Sequence, residues 1–213
     1  MPRRAIWPAL LLLAAAACGS RDTLTSPTPG ATPIRRVVVL GDSLAVSPSI
    51  AESFPTALQA RVDAQRLRWA IVNAGVNGDT TADGLRRLDP LLASDVAILV
   101  VELGANDGLQ GVPVSTIQQN LLAIVQRARE RSVRPLLCGM ETPPGHGLDY
   151  SVAFHFVFPT IAQQQSVPLV PFLLAGVALV PELNGPDLVH PNAAGARRIA
   201  DTVWTYLAPM LQN

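Results

Sequence analysis

Val37-Val38-Val39-Leu40-Gly41-Asp42-Ser43-Leu44 carries four consecutive apolar residues straight into a short polar turn with a single hydroxyl. A run without polar alternation reads as a strand buried on both faces, the form that strands of a parallel sheet take. The carboxyl end of such a strand opens into the crevice where open α/β sheets bind ligands, which makes Ser43 a candidate nucleophile. Gly-Asp-Ser is also common turn punctuation, so the remainder of the chain has to decide between the two.

Apolar runs recur at residues 69–72, 96–101, 135–138 and 167–170, separated by segments with helical spacing. After Pro113, Ser115 with Gln118 predicts a capping box, and Ile117, Leu121, Ile124, Val125 and Ala128 fall on one helical face. Pro191 predicts the first position of a last helix whose stripe is Ala196, Ile199, Ala200, Val203 and Leu207. Thr80-Thr81 predicts the cap of a helix that turns Leu85, Leu88 and Leu92 toward the core. Five strands alternating with helices predict an α/β domain, a three-layer α/β/α sandwich on a five-stranded parallel sheet.

The first 34 residues have a different character. Met1-Pro2-Arg3-Arg4 followed by an apolar run over residues 5–17 has the charged start and short apolar centre of an export signal, and the run is shorter than the ~20 residues that span a bilayer. It ends in Ala15-Ala16-Ala17-Cys18-Gly19, which resembles the lipobox of bacterial lipoproteins, with Cys18 as the lipidated mature terminus. Residues 19–34, dense in Ser, Thr, Pro and Gly, read as a flexible tether. The expected division is therefore a signal peptide (1–17), a lipidated cysteine with its linker (18–34) and a single folded domain (35–213). It puts the protein in the bacterial cell envelope on a membrane surface, or secreted if an ordinary signal peptidase cuts instead.

Composition excludes several chemistries. The chain has sixteen basic and sixteen acidic residues; losing Arg3 and Arg4 with the signal leaves fourteen against sixteen, which offers no electrostatic case for nucleic acid. Every basic residue is arginine, so Ser-Lys dyads, Schiff-base lysines and P-loop lysines are ruled out. Cys138 is the only cysteine after Cys18, which excludes an intradomain disulfide, and no metal-binding motif is present; neither metal nor cofactor is expected.

Three further polar clusters follow strand ends. Asn73-Ala74-Gly75-Val76-Asn77-Gly78-Asp79-Thr80 allows the Gly78 amide to approach a ligand; Gly104-Ala105-Asn106-Asp107-Gly108 offers the Asn106 side-chain donor. Asp187-Leu188-Val189-His190-Pro191 puts a carboxylate three residues before an imidazole. Together they supply a nucleophile (Ser43), a base (His190), an acid to orient it (Asp187) and oxyanion donors from the Ser43 and Gly78 amides and Asn106. Asp42 and Asp107 are expected to brace their turns. No Gly-x-Ser-x-Gly elbow surrounds Ser43, so the common α/β-hydrolase architecture is not the template.

Gly41-Asp42-Ser43-Leu44, Gly78 in Asn-Gly-Asp-Thr, Gly104-Ala105-Asn106-Asp107 and Asp187-Leu188-Val189-His190-Pro191-Asn192 resemble the four signature blocks of SGNH (GDSL) hydrolases, in order and spacing. The runs Val101-Glu102-Leu103-Gly104-Ala105-Asn106-Asp107-Gly108-Leu109 and Val167-Pro168-Leu169-Val170-Pro171-Phe172 are similar to the branch with bacterial thioesterase I, lysophospholipase and arylesterase. The resemblance implies a flavodoxin-like sheet and a serine esterase that cleaves small-molecule acyl or aryl esters through an acyl-serine. Thioesterase or lysophospholipase activity is the alternative, and a binding protein that lost turnover is the rival from another class. Ala45-Val46-Ser47-Pro48-Ser49 is shorter than the usual segment and lacks its glycines, which bears on the acyl pocket. Leu44, Val46, Leu109, Pro143 and Pro144 are apolar rim residues suited to an acyl chain, and His146 reads as a substrate-loop residue.

Overall fold

The computed structural model describes Met1 and residues 34–212; the expected signal, Cys18 and linker residues 18–33 lie outside them. Five parallel strands form one sheet: β1 (Arg35–Gly41), β2 (Trp69–Gly75), β3 (Val96–Glu102), β4 (Arg134–Cys138) and β5 (Leu169–Val170), in the order β2-β1-β3-β4-β5. β3 is the middle strand, and all seven of its residues are buried. The unbroken apolar runs of β1 and β3 thus follow from burial on both faces. β5 is two residues long where a run from residue 167 was expected.

Among the described residues, seven α-helices flank the sheet: α1 (Ser43–Val46), α2 (Phe54–Ala64), α3 (Thr81–Arg86), α4 (Ala105–Gln110), α5 (Val114–Glu130), α6 (Leu148–Gln165) and α7 (Ala193–Leu211). α2 packs on α7, while α5 packs on both α3 and α6, giving the helical layers of a three-layer α/β/α sandwich. The stripes expected on α5 and α7 are buried, residue for residue.

Three local expectations are corrected. Ser115 does not cap α5: the helix starts at Val114 after Pro113, so Ser115 already lies in its first turn and cannot act as the half-in cap residue. Pro191 is not helical; Asn192 is the cap of α7, its Oδ1 accepting from the N–H groups of Ala194 (2.9 Å) and Gly195 (3.1 Å). Thr80 does cap α3, in a capping box with Asp83, but the helix ends at Arg86, and Leu88 and Leu92 reach the core from the turn that follows.

These caps fix the edge of the sheet where the polar clusters lie. The buried Asp107 carboxylate accepts from Thr81 N–H (2.8 Å) and Thr81 Oγ–H (2.6 Å), tying the start of α3 to α4. Asp107 therefore braces the start of α3, where bracing of its own turn was expected.

Candidate active site

Ser43 is the first residue of α1, directly after β1, and Asp42 sets its position: Asp42 Oδ1 accepts from Leu44 N–H at 2.9 Å and caps the short helix. Gly41 must be glycine for a different reason. A Cβ there would stand 2.3 Å from Glu102 Oε2 and 2.8 Å from Ala45 Cβ, so the strand end and the turn could not close.

The three groups that the sequence separates by up to 147 positions meet in a line. Ser43 Oγ–H donates to His190 Nε2 at 2.9 Å, and His190 Nδ1–H donates to Asp187 Oδ2 at 2.6 Å. A proton on Nδ1, facing a carboxylate, leaves the Nε2 lone pair for the serine. Leu188, at φ 59°, turns the chain so that Asp187 Oδ1 also accepts from the N–H groups of Val189 and His190, each at 3.0 Å. The hydrogen bonds from the His190 side chain and backbone, and from Val189, hold the Asp187 carboxyl well below the usual carboxylate range. It is ionised wherever the imidazole could serve as a base.

The His190 loop is itself pinned. Gly185 N–H donates to His190 O (2.8 Å), buried Asn184 donates to Val177 O (2.6 Å) and Val180 O (2.8 Å), and Asn192 Nδ2 donates to Glu182 O (2.9 Å). The irregular chain between β5 and α7 is thus held by backbone turns, one isolated bridge between Asn184 and Pro191, and amide side chains.

Gly78 and Asn106 approach the same corner. Asn106 Nδ2 donates to Asp79 O (2.9 Å) and Asp42 Oδ2 (3.1 Å), which fixes the amide plane between the β2 loop and the Ser43 turn. Gly78 has φ 81°, a conformation that favours glycine. Among the described residues the backbone N–H groups of Ser43 and Gly78 have no protein acceptor. Arg87 braces this corner, its Nε on Asp79 Oδ2 (2.5 Å) and its Nη2 on Gly41 O (2.9 Å).

A cleft of about 400 Å³ opens beside Ser43 and His190. Leu109, Thr142, Pro143 and Pro144 line it from the segments after β3 and β4, and Phe172, Leu174, Leu179, Leu188 and Val189 from the span between β5 and α7, with Leu44 and Asn106 also in the lining. Of the rim residues expected from sequence, Leu44, Leu109, Pro143 and Pro144 line it, whereas Val46 and His146 do not. Val46 packs toward Gly75, and His146 Nε2 bonds Leu109 O (3.0 Å) with its ring edge-on to Tyr150, so it holds the end of α4. His155 is exposed on α6 and pairs with Glu141, a cleft residue, at 2.6 Å. Cys138 is fully buried, and burial, with Glu102 nearby, pushes its thiol well up, which leaves it unsuited to attack.

Two residues of this region have no role assigned from the sequence. Glu102, a buried acid, ends β3 directly behind the Ser43 turn; the signal was a lone acid closing a six-residue apolar run. Glu141 is the one acid among the cleft-lining residues and carried no motif.

The sequence profile of the GDSL-like lipase/acylhydrolase family matches residues 39–198. Esterase TesA of Pseudomonas aeruginosa is 38% identical over 178 residues, 82% of this chain and 89% of that protein. Thioesterase 1/protease 1/lysophospholipase L1 of Escherichia coli is 34% identical over 180 residues, 83% and 85% of the two chains. The crystal structure of the psychrotrophic esterase EstA from Pseudoalteromonas sp., inhibited by monoethylphosphonate, superposes with a TM-score of 0.79 at 31% identity, covering 84% of this chain and all of that one.

Proposed function

We propose, for a chain that belongs to the GDSL-like lipase/acylhydrolase family and is a carboxylic ester hydrolase, that Ser43 is the nucleophile, His190 the general base and Asp187 the group that orients the imidazole. The observation that carries the assignment is the position of the imidazole, 2.9 Å from the hydroxyl on one side and 2.6 Å from the carboxylate on the other.

Ser43 Oγ attacks the ester carbonyl carbon while its proton passes to His190 Nε2. The carbonyl oxygen becomes an oxyanion, taken up by the N–H groups of Ser43 and Gly78 and by Asn106 Nδ2. Of the two Asn106 N–H bonds, the shorter, on Asp79 O, anchors the amide; the longer, on Asp42 Oδ2, is the one an oxyanion shares. Collapse expels the alcohol, which takes the proton from His190, and leaves an acyl-serine. Water then adds to the acyl group with His190 again as base, and the carboxylic acid departs.

The apolar cleft walls favour an acyl chain as the bound part of the substrate, with the alcohol toward solvent. A thioester presents the same acyl group to the same donors, and the thioesterase name of the Escherichia coli relative keeps it as the second reading. We also read residues 1–17 as an export signal and Cys18 as a lipid anchor to the envelope, which disfavours cytosolic acyl-CoA as substrate. Among the described residues no helix is long and apolar enough to cross a membrane.

The test is hydrolysis of p-nitrophenyl esters and matched thioesters by wild type and Ser43→Ala. Loss of turnover in the variant, with a phosphonate adduct on the Ser43 peptide of the wild type, is the expected result. Turnover that persists in Ser43→Ala removes the serine from the mechanism. Mass measurement of the mature amino terminus separates a lipidated Cys18 from a plain cut end.

A further inference from the structure

Behind the nucleophile lies a second carboxyl group that the reaction just described does not use. Glu102 closes β3, the middle strand, with no exposed surface. Its Oε2 accepts from Asp42 N–H at 3.2 Å, but its Oε1 is buried without a hydrogen-bond partner. That bond seats the Glu102 carboxyl against the Asp42 turn, and Asp42 is itself buried. Gly41 leaves it the space that a side chain would fill.

Two ionised carboxylates in buried contact repel each other strongly, so such a pair holds a proton. Among the described residues no arginine or imidazole is hydrogen-bonded to either carboxyl. Arg87 is committed to Asp79 and the Gly41 carbonyl, His190 is bound to Asp187 and Ser43, and Cys138, on the β4 side, is neutral. The two acids differ in their surroundings. Asp42 receives N–H donors from Leu44 and Asn106, which favour its charge; Glu102 is buried entirely and receives fewer. The proton belongs on Glu102, and an O–H aimed at Asp42 gives the buried carboxyl the bond it otherwise lacks.

We propose that Glu102 is a positioning residue of the hydrolytic site, carried as a neutral carboxylic acid whose O–H donates to Asp42 and so holds the Ser43 turn and the Asn106 amide in register. Asp42 is the element both depend on: Oδ1 caps the helix that begins with Ser43, and Oδ2 holds Asn106 Nδ2. Glu102 touches no substrate and acts only through Asp42. The titration of the pair runs in the same sense. Burial and the Asp42 charge push Glu102 well above the ordinary glutamate range, while burial raises Asp42 only to about 6 against the pull of the Leu44 N–H.

Glutamine mimics a neutral acid, since its amide N–H can donate to Asp42 while its oxygen accepts from Asp42 N–H; leucine fills the space and does neither. The proposal rests on Ser43 as nucleophile, so one measurement is independent of turnover. In the full chain carrying Ser43→Ala, infrared difference spectra of Glu102 against Glu102→Gln are expected to contain the carbonyl band of a protonated carboxylic acid. In the Ser43 enzyme, Glu102→Leu is expected to lower kcat by about tenfold or more with KM within about twofold, and Glu102→Gln to recover kcat to within about threefold of wild type. A Gln variant as impaired as Leu, a Leu variant with wild-type kcat, or absence of the protonated-acid band overturns the proposal. If Glu102→Leu does not fold, the Gln kinetics and the band decide it.

Discussion

Asn106→Ala separates transition-state stabilisation from binding. The wild-type amide is fixed before substrate arrives, by Asp79 O at 2.9 Å and Asp42 Oδ2 at 3.1 Å, so no reorganisation is needed when the oxyanion forms. Removing one such donor from a preorganised site typically costs ~3 kcal/mol of transition-state stabilisation, a fall in kcat of about 100-fold or more. The neutral carbonyl of a bound ester draws far less on the same N–H, so KM is expected to change by less than about threefold. The truncation also strips the Asp79 carbonyl and the Asp42 carboxylate of a donor in a partly buried place, which lowers stability by ~1 kcal/mol. The assay is steady-state hydrolysis of p-nitrophenyl esters, run beside urea unfolding so that loss of folded protein is not mistaken for loss of chemistry. An Asn106→Ala enzyme with wild-type kcat and a raised KM refutes the oxyanion role and makes the amide a substrate-binding group.

Three other outcomes are expected. Gly41→Ala drives a methyl group into Glu102 Oε2 and Ala45 Cβ, at 2.3 and 2.8 Å; urea unfolding is expected to register a loss of ~1–3 kcal/mol together with lower kcat, and a fully stable variant contradicts the packing. Asp42 takes up its proton in the native state near pH 6, against 3.8 for its ordinary value, so between about pH 4 and 6 the folded form binds more protons than the unfolded one and stability declines as pH rises. Asp42→Asn is expected to flatten that slope by up to ~1.4 kcal/mol per pH unit, read from unfolding curves at stepped pH; an unchanged slope contradicts the burial argument. Asp83, held down to about 2 by Thr80 and Arg86, acts with the opposite sign and only at more acid pH. Finally, each acyl methylene seated between the cleft walls adds ~0.8 kcal/mol, so kcat/KM should climb by up to about fourfold per carbon until the cleft is full, and Phe172→Ala should shorten that climb.

How much of this was legible in the sequence depended on whether local chemistry or distant packing made the decision. β1, β3 and the stripes of α5 and α7 were readable because each is an apolar pattern with one period, and burial enforces that period. The line of Ser43, His190 and Asp187 was readable because each group stands in a short motif at the carboxyl edge of the sheet. Ser115 misled because a Ser-x-x-Gln spacing occurs one residue inside a helix as easily as at its boundary, and Pro191 because the better cap, Asn192, stood next to it. Residues 171–192 carry little regular structure, so no periodicity announced that Phe172, Leu174 and Leu179 would build a cleft wall. Glu102 was opaque for a related reason: an acid at a strand end reads as solvent-facing, and only the missing side chain of Gly41 and the closeness of Asp42 make it buried.

The two sides of the cleft differ in what else their polypeptide carries. Phe172, Leu174, Leu179, Leu188 and Val189 share one tightly cross-braced span with His190, so swapping or lengthening that span to reshape selectivity drags the imidazole out of alignment. Thr142, Pro143 and Pro144 ride on a separate connection that bears none of Ser43, Asp187 and His190. Laboratory evolution toward bulkier or shorter acids therefore has a permissive side and a forbidding one, and diversity belongs on the permissive side.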